Sequence, residues 1–372
     1  MGKNNRLEAI DCLRGIAAIA VMMSHALVNI TEPAQSSVAQ FLFLSGGSGV
    51  DLFFQISGFI LVVSTLDFDR SKVYIAKFVW KRALRIWPAY IAATLLFMSV
   101  GYGLSVFLDP ASQDRIARSL LFQPLNFNDP APFYGYSALS VGWTLNYEIY
   151  FYLTAAVSML FGTWRWAALS AWFAVTLAAI PLSLGGGFSF ASTARFDVSG
   201  YLNLMTNPIL WNFVAGILVG LFYTSYVRRM PRAMLRTLVF FAALLTIALL
   251  VFRVRTGHGL TYYGLGYFFI MLTVAAAMKA QALTQCPKVL VWLGTISYSI
   301  YLVHPTVQYI VPTVLISYGL SSWTTGLGMA ASTTLLSVAF AYVFSRVFEV
   351  WLPKQAAKIS APRSPGGKAQ AA

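Results

Sequence analysis

Apolar runs of about 20 residues recur along the chain, separated by short segments where charged residues, glycine and proline gather. A run of that length crosses a hydrocarbon core about 30 Å thick as an α-helix. The pattern predicts ten spans, roughly at 8–28, 46–66, 84–106, 140–161, 166–184, 206–226, 236–252, 261–278, 289–311 and 323–344. Asp11, Arg14 and His25 interrupt the first run, and no small-x-small cleavage site follows it, so it is read as a retained helix. The expected fold is an all-α polytopic membrane protein with a single transmembrane domain over 1–352. Residues 353–372 read as a polar tail, expected to be disordered.

Composition agrees with this pattern. Hydrophobic residues make up 58% of the chain and charged residues 10%, against about 25% charged in soluble domains. The formal net charge of +14 needs no nucleic acid to explain it, because the basic residues are placed by topology. With the N-terminus inside, twenty of the 26 lysines and arginines fall on cytoplasmic segments and five outside, and Arg14 lies within the membrane. That bias predicts both termini in the cytoplasm and a surface attracted to anionic lipids. The two cysteines, Cys12 and Cys286, form no disulfide framework and are expected as free thiols.

The informative positions are the polar ones inside apolar runs. Arg14 and His25 are eleven residues apart, about 1100° around a helix, so they share one face about 16 Å apart along the axis. Asp11 lies on nearly the same stripe. Ionisable groups within a span are costly and usually face a protein interior or a water-filled cavity. His25, Asp51, Glu148 and His304 are all expected in the outer half of the bilayer, on four different spans, which suggests one shared cavity. Each also has a plainer reading: a hydrogen-bonded structural histidine, a helix cap for Asp51, a structural ion pair for Glu148. Lys77, Lys81, Arg82 and Arg85 cluster at the expected cytoplasmic start of the third span. They read either as an ordinary positive-inside anchor or as an anion site, since paired arginines at a helix N-terminus suit phosphate. No metal-ligand spacing is present.

Five segments together resemble the integral-membrane acyltransferase-3 family. They are LRGIAAIAVMMSHAL, with its Arg-x10-His pattern, GVDLFFQISGFIL, KRALRIWPAY with Arg-x-x-Arg, VGWTLNYEIYFYL and SYSIYLVHP. The likeness runs over roughly residues 6 to 350 and is nearest to the exopolysaccharide O-acetyltransferases. It implies an enzyme of the inner membrane that moves an acyl group, commonly acetyl, from cytoplasmic acyl-CoA to a hydroxyl of a cell-envelope glycan, free or lipid-linked. Acyl-CoA would be a co-substrate, with no permanently bound cofactor. Arg14, His25, Arg82 and Arg85 match the family's motif residues, and Asp51 and Glu148 fall in matching segments.

That chemistry suits the polar map. Arg82, Arg85 and Lys81 would hold the phosphates of acyl-CoA, and Arg14 would hold the donor or balance a carboxylate. His25 would act as general base for a sugar hydroxyl, with Asp51 or Glu148 fixing its tautomer. The competing class is a proton-coupled multipass transporter using the same His, Asp and Glu as a relay. It leaves the arginine pair and the five ordered motifs unexplained.

Overall fold

The computed structural model describes residues 8–30, 33–225, 231–251, 257–280 and 285–355. It is all-α, and among the described residues the only β pairing is an isolated bridge between Ala191 and Gly259. The helices in chain order are α1 (Glu8–Ala26), α2 (Pro33–Phe43), α3 (Gly49–Ser64), α4 (Lys72–Tyr102), α5 (Pro110–Leu120) and α6 (Trp143–Met159). They continue with α7 (Arg165–Ala174), α8 (Ile180–Ser183), α9 (Leu202–Met205), α10 (Trp211–Ser225), α11 (Arg232–Val251) and α12 (Leu265–Lys279). The last three are α13 (Lys288–Thr295), α14 (Ser297–Ser317) and α15 (Leu327–Ser345).

Every expected span falls on a helix, and seven helical segments are long and apolar enough to cross a bilayer by themselves. The chain is a polytopic membrane protein. Two expectations change at the element level. The third span begins at Lys72, so Arg82 and Arg85 lie about three turns inside α4 and not at its N-terminus. The reason is the Ser71 hydroxyl, which accepts from Tyr74 N–H and caps the helix well before the apolar run begins. The ninth span is broken near its start, because α13 ends at Thr295 and α14 begins at Ser297. The expected tail falls largely on residues 356–372, outside the described residues.

Glycine sets the packing. A Cβ on Gly216 of α10 would sit 1.9 Å from the Gln55 carbonyl of α3, and one on Gly58 would sit 2.2 Å from the Phe213 carbonyl. Small residues four apart (Gly216 and Gly220) let two spans meet backbone to backbone, as helices in lipid commonly do. The same device holds α1. A Cβ on Gly294 of α13 would meet the Asp11 carbonyl at 1.8 Å, one on Gly15 the Leu290 carbonyl at 2.4 Å, and one on Gly46 the Ala20 carbonyl at 2.2 Å. The helix that carries Asp11, Arg14 and His25 is thus clamped along its length.

Candidate active site

An internal cavity of about 270 Å³ lies among α1, α3, α4, α6 and α14. Arg14 and Asp11 enter it from α1, Arg82 and Arg85 from α4, and Glu148 from α6, with Ser57, Tyr152 and Tyr301 completing much of the wall. Two shallower recesses of about 480 and 500 Å³ share walls with it at the basic end, and Arg85 lines all three. Lys81 lines the two recesses but not the inner cavity.

The charges here are partly committed to one another. Arg14 Nη1 is 3.6 Å from Asp11 Oδ1. Arg82 lies over the Tyr152 ring at 4.7 Å and donates to Ser64 Oγ at 3.4 Å. Tyr152 in turn donates its hydroxyl to Glu148 at 2.8 Å, and Ser57 donates to the same oxygen at 3.3 Å. Glu349 sits in a π-turn, Arg346–Trp351, that prolongs α15, and accepts from both the backbone N–H and the hydroxyl of Ser299. Arg85 makes no ion pair within 4.0 Å among the described residues, and its side chain is exposed to the recesses. The buried Ser297 hydroxyl, also on the cavity wall, has no partner there either. Both are groups that an anionic, hydrogen-bonding ligand would satisfy.

The histidines meet at the other end of α1. His25 Nδ1 and His304 Nε2 are 2.7 Å apart, with the rings stacked at 5.0 Å between centroids. His304 is fully buried, and its Nδ1 lies 3.0 Å from the Ile300 carbonyl. A carbonyl only accepts, so for two neutral rings the protons are determined. His304 Nδ1–H donates to Ile300, His304 Nε2 accepts from His25 Nδ1–H, and His25 Nε2 is left as an acceptor. Gln308, one turn further along α14, donates to the Met22 carbonyl at 3.0 Å and holds α14 against α1 beside this pair. Tyr301 links the two ends. It lines the cavity on one side, and on the other its ring faces His304 at 6.1 Å.

Residues 7–345 match the family described as an acyltransferase domain. The chain belongs to that family. It is an enzyme, a membrane acyltransferase, and the transporter alternative gives way. The chain is also similar to the exopolysaccharide production protein ExoZ of Rhizobium meliloti (strain 1021), at 30% identity over 302 residues, covering 80% of this chain and 87% of that protein. No solved structure matches.

In this acyltransferase the four groups expected in the outer half do not share one cavity. His25 and His304 pair, Glu148 joins the arginines, and Asp51 belongs to a third place. Fully buried in the first turn of α3, Asp51 accepts from Asn212 Nδ2 at 2.6 Å and from Gly259 N–H at 2.9 Å. Its other oxygen is 3.4 Å from His258 Nδ1. Asp51 therefore neither caps α3 nor orients His25; the group that orients His25 is His304. The depth argument failed because side chains at equal depth on neighbouring helices point to different sides of them. Sequence reasoning missed His258 altogether, since it lies in a loop where no periodicity marks it. Its flanking glycines, Gly257 and Gly259, were the available signal, and both adopt positive φ. Glu349 was missed too, because a π-turn breaks the 3.6-residue phase that reveals a buried face.

Proposed function

We propose that the protein is an inner-membrane O-acyltransferase that transfers an acyl group, acetyl in the simplest case, from cytoplasmic acyl-CoA to a hydroxyl of an exopolysaccharide or related envelope glycan. The observation that carries this reading is the hydrogen-bond order His25–His304–Ile300, which leaves His25 Nε2 as an open proton acceptor. A sugar hydroxyl is too weak an acid to attack a thioester at neutral pH, and a positioned histidine base supplies what it lacks. His25 Nε2 takes the hydroxyl proton as the oxygen attacks the thioester carbonyl. The C–S bond breaks, an ester forms, and the leaving thiolate takes the proton back from His25 to give free CoA. The imidazolium formed in between is stabilised through Nδ1–H by His304.

Arg85, Arg82 and Lys81 are suited to the pyrophosphate and 3′-phosphate of CoA, because guanidinium groups bind phosphate in bidentate fashion. Arg14 marks the inner cavity through which the pantetheine arm would run, past Tyr301, toward His25. The acceptor assignment rests on the similarity to ExoZ.

The test is CoA release from acyl-CoA by the purified protein in nanodiscs, with acetyl-CoA as the first donor. Wild type should release CoA. His25→Ala should fall by about 100-fold or more, the usual worth of a general base, while Arg82→Ala and Arg85→Ala should mainly raise the KM for the donor. An active, normally inserted His25→Ala variant overturns the scheme.

A further inference from the structure

His258 is absent from the chemistry above, yet its ring faces a buried carboxylate and packs among aromatic side chains. Its Nδ1–H faces Asp51, whose other oxygen is held by Asn212 and Gly259, and Asn212 accepts in turn from Gln55 at 3.0 Å. A ring pinned at Nδ1 by a carboxylate presents Nε2 as an acceptor. The ring also packs among aromatic groups. Trp143 lies 5.4 Å from it and Phe133 6.2 Å, and Phe133 stacks on Tyr136 at 4.8 Å with 28° between the planes. Trp143 is buried, whereas Tyr136 is 49% exposed.

The loop that carries Phe133 and Tyr136 is held on several sides. Tyr147 donates to the Pro132 carbonyl at 2.7 Å, and Tyr134 donates to the Asn203 carbonyl at 2.9 Å. Arg195 donates to the carbonyls of Phe127 and Asn128. An exposed ring on a fixed loop is preorganised for a ligand, since little order is lost on binding.

This platform adjoins the histidine pair. Thr144, next to Trp143, shares a 2.8 Å hydrogen bond with the Tyr301 hydroxyl, and the Tyr301 ring faces His304. Tyr136 offers an exposed flat apolar face and His258 a ring nitrogen beside it, and Asp51 is buried with its oxygens already engaged. That chemistry fits the apolar C–H face and the hydroxyl edge of a pyranose, and it offers nothing to a phosphate or a carboxylate.

Resting on the acyltransferase reading above, we infer that Tyr136, Phe133 and His258 form the glycan acceptor site: a sugar ring stacks on Tyr136, donates a hydroxyl to His258 Nε2, and so brings its reacting hydroxyl to His25. Asp51 is then a positioning residue for the acceptor.

The test is isothermal titration of the nanodisc-embedded protein with oligosaccharides cut from the de-O-acylated exopolysaccharide of the producing bacterium. Wild type should bind saturably. Tyr136→Ala should bind about three- to tenfold more weakly, the range of an aromatic contact, and Tyr136→Phe should bind as wild type does, because the ring carries the stacking. His258→Leu should weaken binding by a similar factor. The site is overturned if wild type shows no saturable binding, if Tyr136→Ala and His258→Leu both bind as wild type does, or if Tyr136→Phe is as weak as Tyr136→Ala. A Tyr136→Ala protein that inserts poorly but binds normally would mark the ring as an interfacial anchor, which also overturns it. The titration contains no acyl-CoA, so its failure and that of the donor scheme are separable.

Discussion

His304 illustrates how one backbone carbonyl determines the behaviour of a side chain on another helix. The Ile300 carbonyl selects the His304 tautomer, and that tautomer selects which nitrogen of His25 is free. His304 is a positioning residue in this account, so its loss should lower kcat without preventing donor binding. His304→Leu is expected to lose about tenfold or more, as orienting groups in catalytic triads do when removed. His304→Gln offers an amide oxygen to His25 Nδ1–H and should retain more activity, with an altered pH–kcat profile in both variants. Equal activity of the Leu and Gln variants would remove His304 from the mechanism. The Arg14–His25 relation was legible from sequence because both residues lie on one helix, where spacing alone defines the face. The His25–His304 contact joins residues 279 positions apart, and nothing local encodes it. The Asp51–His258 contact was hidden for the same reason, and more deeply because its partner lies in a loop.

At the scale of elements, hydropathy located the helices well and their polar ends less well. Lipid imposes a length and an apolar face on every span, so the runs are plain in the sequence. The extension of α4 back to Lys72 and the break at Ile296 depend instead on a cap and on tertiary contacts. Helix contacts hinge on glycines that hydropathy ignores. Gly216→Ala would place a methyl group 1.9 Å from the Gln55 carbonyl, so α3 and α10 would have to separate. The cost should be about 1–3 kcal/mol, read as a lower unfolding temperature in detergent. Because Gln55 donates to Asn212 and Asn212 to Asp51, the same variant should also disturb the His258 network. An unchanged unfolding temperature would contradict the close packing of these two helices.

Across the whole molecule, the basic recesses and the histidine pair lie at opposite ends of α1, an arrangement that suits the transfer proposed above. The distribution of basic residues predicts that the arginine end faces the cytoplasm, and Cys286 tests that prediction. That cysteine precedes α13, at the arginine end, and burial pushes its thiol above its ordinary pKa. Labelling will therefore be slow at neutral pH and is best run at mildly alkaline pH, in a Cys12→Ala background. A membrane-impermeant maleimide should reach Cys286 only in inverted vesicles or permeabilised cells; labelling in intact cells would reverse the topology.

The glycine clamps on α1 have a further consequence. A helix held backbone to backbone against α13 and the segment before α3 cannot turn about its axis to compensate for a change in length. Inserting or deleting a single residue between Gly15 and Ser24 would swing His25 about 100° relative to Arg14, away from His304. In this interval, then, the number of residues matters as well as the identity of Gly15: the ten residues between Arg14 and His25 also serve as a count.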